Sequence, residues 1–148
     1  MQYKYYLHLF AGMAMLELGN LASSLAPFNV SAVSESLGAN SQESGLVVTL
    51  ELFFAAISSL FFGTVSYKGK ALAYCGSLIV ICSYFLCSIA SDVNQITFIK
   101  AFSGIGCGML IASGHSILAS SQDPNRSYAL FTLFASLTAA FLIYISST

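Results

Sequence analysis

Apolar residues run along this chain in five long blocks separated by polar stretches. The blocks cover about residues 5–28, 45–65, 71–90, 96–119 and 127–146. A helix needs about 20 apolar residues to cross the roughly 30 Å hydrocarbon core of a bilayer, and each block meets that length. The pattern therefore predicts an all-α integral membrane protein: a single transmembrane domain over 1–148 with about five spanning helices. Pro27 breaks the first block near its end. The longest polar stretch, NVSAVSESLGANSQES at 29–44, reads as a loop on the outer side. Shorter connectors follow at 66–70 (SYKGK), 91–95 (SDVNQ) and 120–126 (SSQDPNR).

The fourth block, ITFIKAFSGIGCGMLIASGHSILA, organises the rest. Gly104, Gly108, Ala112 and Ser116 recur every four residues, so they share one helical face, and Gly106 adds another small position beside them. Small residues let a second helix approach closely, and in lipid close packing replaces the missing hydrophobic drive. Ala55, Ser59 and Gly63 make a second such stripe on the second block. The glycine run at 104–108 is no dinucleotide-binding loop, because it lies inside a span rather than between a strand and a helix in water.

Composition agrees with the pattern. The chain is 57% hydrophobic and 7% charged, whereas soluble domains average about 25% charged residues. The first block runs on far past the short apolar core of a cleavable signal. The net charge of −1 gives no reason to expect a nucleic-acid partner. Cys75, Cys82, Cys87 and Cys107 lie within apolar runs at spacings that match no zinc or redox signature, so neither metal nor cofactor is expected. No Ser-His-Asp set or catalytic carboxylate pair can be assembled, and the chain is not expected to be an enzyme. Tyr5, Tyr6, Tyr67 and Tyr74 fit an interfacial aromatic belt.

Four ionisable residues stand out within the blocks, Glu17, Glu51, Lys100 and His115, while His8 sits at the inner end of the first. Such residues are expensive in lipid and mark substrate or ion pathways. Glu17 is near the middle of the first block, with Asn20 one turn further on. A carboxyl at that depth can carry a proton, as a proton-coupled carrier requires. Glu51 lies roughly 9 Å and Lys100 roughly 6 Å from the outer ends of their helices, at 1.5 Å per residue. Their similar depth and opposite charge allow an intramembrane ion pair or an outer gate; alternatively, each reaches water alone, the lysine by snorkelling. His115, near the inner end, reads as a hydrogen-bonder or a proton relay.

These features together resemble the N-terminal half of a major facilitator superfamily transporter. The likeness rests on several stretches: the proline-ended first span with its outer SLGANSQESG; Gly63-Thr-Val-Ser-Tyr-Lys-Gly-Lys70 after the second span; Lys100-Ala-Phe-Ser-Gly-Ile-Gly-Cys-Gly108; and Asp123-Pro-Asn-Arg126. Ser66 and Tyr67 stand where the family carries an aspartate, and Lys100 stands where it carries an arginine, keeping the charge without the planar fork. The resemblance implies that the first and fourth helices line a central cavity, making Glu17, Asn20, Lys100 and His115 pathway candidates, with Glu51 at its rim. It implies a cytoplasmic gating loop at Gly63, Lys68, Gly69 and Lys70. The expected function is secondary transport of a small solute by alternating access, proton-coupled. With five spans the chain is expected to be a cut-short or unusually short member, completed by a C-terminal half or another copy. The alternatives are a non-transporting assembly or scaffold subunit and a short oligomeric channel.

Charge sets the expected orientation. Lys4, Lys68, Lys70 and Arg126 fall on one side of the alternating topology, and Glu35, Glu43 and Asp92 on the other. Positive loops face the cytoplasm, which predicts a cytoplasmic N-terminus in a multi-pass protein of the bacterial inner membrane. An epitope inserted in 29–44 should be reached by impermeant antibody in intact cells, and one at the N-terminus only after permeabilisation. The reverse labelling would invert the topology.

Overall fold

The computed structural model describes residues 2–64 and 69–146, and their regular structure is entirely α-helical. The helices are α1 (Gln2–Ser24), α2 (Ala26–Leu37), α3 (Ser41–Thr64), α4 (Gly69–Cys87), α5 (Val93–Ala119) and α6 (Pro124–Ser146). Three of them, α3, α4 and α5, are long and apolar enough to cross a membrane, and α1 with α2 passes the same test as a pair bent by 51°. The expected blocks at 45–65, 71–90, 96–119 and 127–146 correspond to α3, α4, α5 and α6, with their ends shifted by a few residues. Connectivity gathers Glu35, Glu43 and Asp92 at one end of the bundle, the acidic end, and Lys70 and Arg126 at the other, the basic end.

The stretch 29–44 is not the open loop that its polarity suggests. Most of it is helical, because Pro27 stands in the first turn of α2, where a missing N–H leaves no bond unmade. The proline that stops α1 therefore starts α2. Gly38 ends α2 in the left-handed region at φ 63°, which glycine adopts without strain. A reciprocal cap then opens α3: the Glu43 N–H donates to Asn40 Oδ1 at 2.8 Å, and the Asn40 N–H donates to Glu43 Oε2 at 3.0 Å. Val33 of α2 packs with Ala39, Val47 and Ile96, fastening this segment over the acidic ends of α3 and α5. The expected gating loop also shortens. Gly63 lies in the last turn of α3, Gly69 and Lys70 begin α4, and Lys68 lies outside the described residues.

The central element is α5, on which α1, α3 and α4 all pack. Its spanning window is 56% buried, against 28% for α3 and 17% for α4. Glycine makes this possible on three faces. A side chain at Gly104 would overlap the Glu51 carbonyl oxygen, and one at Gly108 would come within 2.5 Å of the Ala55 carbonyl, so this face takes α3. The Ser58 hydroxyl crosses the same seam and donates to the Ile105 carbonyl at 2.7 Å. Gly106 and Gly76 meet on the α4 face, where a Cβ on either would sit 2.9 Å from the other's carbonyl oxygen. On the α1 face, a Cβ at Gly114 would sit 2.8 Å from the Gly12 carbonyl. The outward faces are large and apolar: Leu60, Tyr74, Phe98 and Leu78 are among the most exposed residues. That inversion of the soluble pattern suits side chains solvated by lipid.

Gly106→Leu or Gly76→Leu should destabilise the bundle by about 1–3 kcal/mol, the usual range for overpacking. Gly45→Ala, where an added Cβ meets open space, should be neutral or slightly stabilising. Thermal unfolding in detergent reads both, and equal tolerance at Gly106 and Gly45 would contradict the close approach.

Candidate functional site

Glu51 and Lys100 form a buried ion pair between α3 and α5. Lys100 Nζ lies 3.2 Å from Glu51 Oε2, while its hydrogen bond is aligned with Oε1, 3.5 Å away. Oε2 thus receives charge attraction without an aligned donor. Glu51 is 0% and Lys100 5% exposed. The ammonium also stands 4.5 Å from the centre of the Tyr84 ring, a cation–π distance, so α4 takes part in holding it. Neither charge reaches water alone. Gly104 contributes indirectly, since its missing side chain lets α5 settle against the α3 backbone at Glu51 itself.

Glu17 is separate from this cluster. It is half-buried between α1 and α6, and the Thr138 hydroxyl donates to its Oε1. That hydroxyl is also 2.9 Å from the Ala135 carbonyl of its own helix, so its single proton serves one acceptor at a time. Glu17 Oε2 is buried with no hydrogen-bond partner. Asn20 does not join it: its Nδ2 donates to the Leu16 carbonyl of α1 at 2.9 Å. His115 is exposed, with Nδ1 3.2 Å from the Tyr128 hydroxyl of α6.

Three clefts lie on the basic half of the bundle. One of about 510 Å³ runs between α1, α4 and α5 and is lined by His8, Lys70, Tyr74, Ser77 and Ser116 among others. One of about 400 Å³ lies between α3, α5 and α6, with His115, Tyr128 and Ser59 in its wall. The smallest, about 230 Å³, is bounded by Tyr5, His8 and Ser121. At the acidic end, α2 packs through Val33 on Val47 and Ile96. Of the pathway candidates only His115 lines any of these clefts; Glu17, Asn20, Glu51 and Lys100 line none of them. The acidic half of α5, which carries Lys100, lines none of these three clefts. Its basic half does contribute Ala112, His115 and Ser116 to cleft walls.

The packing glycines Gly104, Gly106 and Gly108 and the buried Ala112 are where the sequence placed them, inside the bundle. Tyr84 and Thr138 were not anticipated. A signal for Thr138 was present in the spacing: Glu17 and Thr138 lie a similar number of residues from the basic ends of two helices that run the same way. Compared with protein-family models, curated proteins and solved structures, the chain gives no match.

Removing one partner of a buried pair leaves an uncompensated charge and costs about 3–5 kcal/mol, whereas replacing both with apolar residues is often neutral. Lys100→Met and Glu51→Leu should each destabilise strongly, and the double variant should recover most of the loss. Denaturant titration in micelles tests this, and simple additivity of the two losses would show that the pair is not coupled.

Proposed function

We propose that this chain is the N-terminal part of a secondary transporter of the major facilitator kind, moving a small solute by alternating access with proton coupling. The observation that carries the reading is Glu17, an intramembrane carboxyl with one oxygen on Thr138 and the other buried without a partner. That second oxygen is an open position for a proton, on a helix pair separate from the packed centre. Intramembrane carboxyls of this kind mark ion pathways.

Five crossings are part of the reading: α1, α3, α4, α5 and α6, with α2 as an extension at the acidic end. With 23 residues, α6 is about 34 Å long at 1.5 Å per residue. The positive-inside bias makes the basic end cytoplasmic. The three clefts then open toward the cytoplasm, as an inward-open conformation requires. The scaffold alternative is disfavoured because the small-residue stripes meet within the chain. Gly104 and Gly108 are used by α3, Gly106 by α4 and Gly114 by α1, which leaves none of these four for a partner helix.

In proteoliposomes under an imposed pH gradient, a solute screen should find uptake that depends on this chain. Glu17→Gln should insert normally and abolish gradient-driven uptake while sparing exchange of the same solute without a gradient. Unchanged gradient-driven uptake in that variant would remove Glu17 from coupling. Absence of any chain-dependent uptake would remove transport.

A further inference from the structure

We propose that the cleft between α1, α4 and α5 at the basic end binds the phosphate headgroup of an anionic lipid, with the start of its acyl chain in the deeper part. The cleft is separate from Glu17 and from the Glu51–Lys100 pair, and the proposal does not depend on transport.

The polar groups of the cleft lie near one end. Lys70 is the second residue of α4, Tyr74 is about one turn further on, and Ser116 lies three residues from the end of α5. His8 is about 9 Å from the start of α1 at 1.5 Å per residue. Together they offer an ammonium, an imidazole and two hydroxyls. Farther in, the wall is mainly apolar, with Ala11 and Met15 beside the Ser77 hydroxyl, and no carboxylate lines the cleft among the described residues. Positive charge at headgroup level above hydrocarbon is the profile of an anionic amphiphile, and basic clefts between spanning helices are sites for such headgroups.

The surroundings favour a lipid over a dissolved anion. Leu7 lies one turn before Ala11, Leu18 one turn after Met15, Leu78 one turn after Tyr74 and Ile81 one turn after Ser77. These four are 58%, 51%, 65% and 67% exposed. The cleft therefore continues along both helices as an apolar groove. A volume of about 510 Å³ is in the range of small-molecule sites. It suits a headgroup and the first part of a chain, with the remainder lying along the groove.

The chain has no tryptophan, so a single Tyr74→Trp substitution gives an unambiguous reporter. The full-length variant is placed in phosphatidylcholine vesicles containing a minor fraction of brominated lipid. Brominated phosphatidylglycerol should quench the reporter with an apparent preference of roughly fivefold over brominated phosphatidylcholine, the factor expected from one basic residue near the headgroup. Adding Lys70→Gln and His8→Gln should erase the preference. Leu133→Trp, on the exposed face of α6, should show no preference in any background. Four results would overturn the proposal. Equal quenching by the two lipids at Trp in position 74 would show no headgroup selection. A preference that survives the double substitution would place the selection elsewhere. Protection from both lipids would mean that a protein helix covers the groove. Loss of the preference on adding inorganic phosphate would assign the site to a free anion instead.

Discussion

The fold depends on backbone reaching backbone at α5. In water, helices are pushed together by the release of solvent from apolar faces. In hydrocarbon that push is gone, and attraction comes from how closely two surfaces can approach. Here α5 solves the problem on three sides with glycine: toward α3 at Gly104 and Gly108, toward α4 at Gly106, and toward α1 at Gly114. Two of these contacts are glycine to glycine, with Gly76 and Gly12 on the opposing helices. Everything else is arranged around this hub. The helix α6 rests on α1, through Phe10 against Phe134 and Glu17 against Thr138, and on α5, through Tyr128 against His115.

That constraint explains where the charges sit. The Glu51–Lys100 pair is placed beside the Gly104 contact, where the backbones of α3 and α5 meet, so geometry is imposed on it by the backbone. Tyr84 closes the α4 side. Glu17 lies on the looser α1–α6 contact, with an oxygen left over. One pair of charges is locked by packing, and one carboxyl remains available. The two sites answer different physical requirements, although sequence alone presents them as similar intramembrane acids.

Much of this could be read from the residues. Four helices, α3 to α6, fall close to their apolar blocks, and the four-residue recurrence of small residues found the α3 face of α5. Depth arithmetic made a Glu51–Lys100 pair one of two readings, because α3 and α5 both start at the acidic end and residue counts from there convert into similar heights. Three things were hidden. In α2, Asn29, Ser31, Ser34, Glu35 and Ser36 interrupt the apolar residues and only Val33 is buried, so the segment looks like a loop. Its signals are local instead: Pro27 at the start, Gly38 at the end and the Asn40–Glu43 cap beyond. The contribution of Tyr84 depends on how α4 is rotated about its axis, which an evenly apolar helix does not announce. The burial of Lys100 and Gly104 in the acidic half of α5 depends on which neighbours arrive, a tertiary property that a single helix does not announce.

The ion pair also bears on how the chain is assembled. Glu51 and Lys100 are 49 positions apart, with the whole of α4 between them. The acidic partner is synthesised first and has no counter-charge until α5 has been made. An ionised group alone in hydrocarbon is costly, so α3 reaches its paired setting only once α5 is in place. The three helices α3, α4 and α5 thus mature as one unit, and the order of translation becomes a constraint on the order of folding.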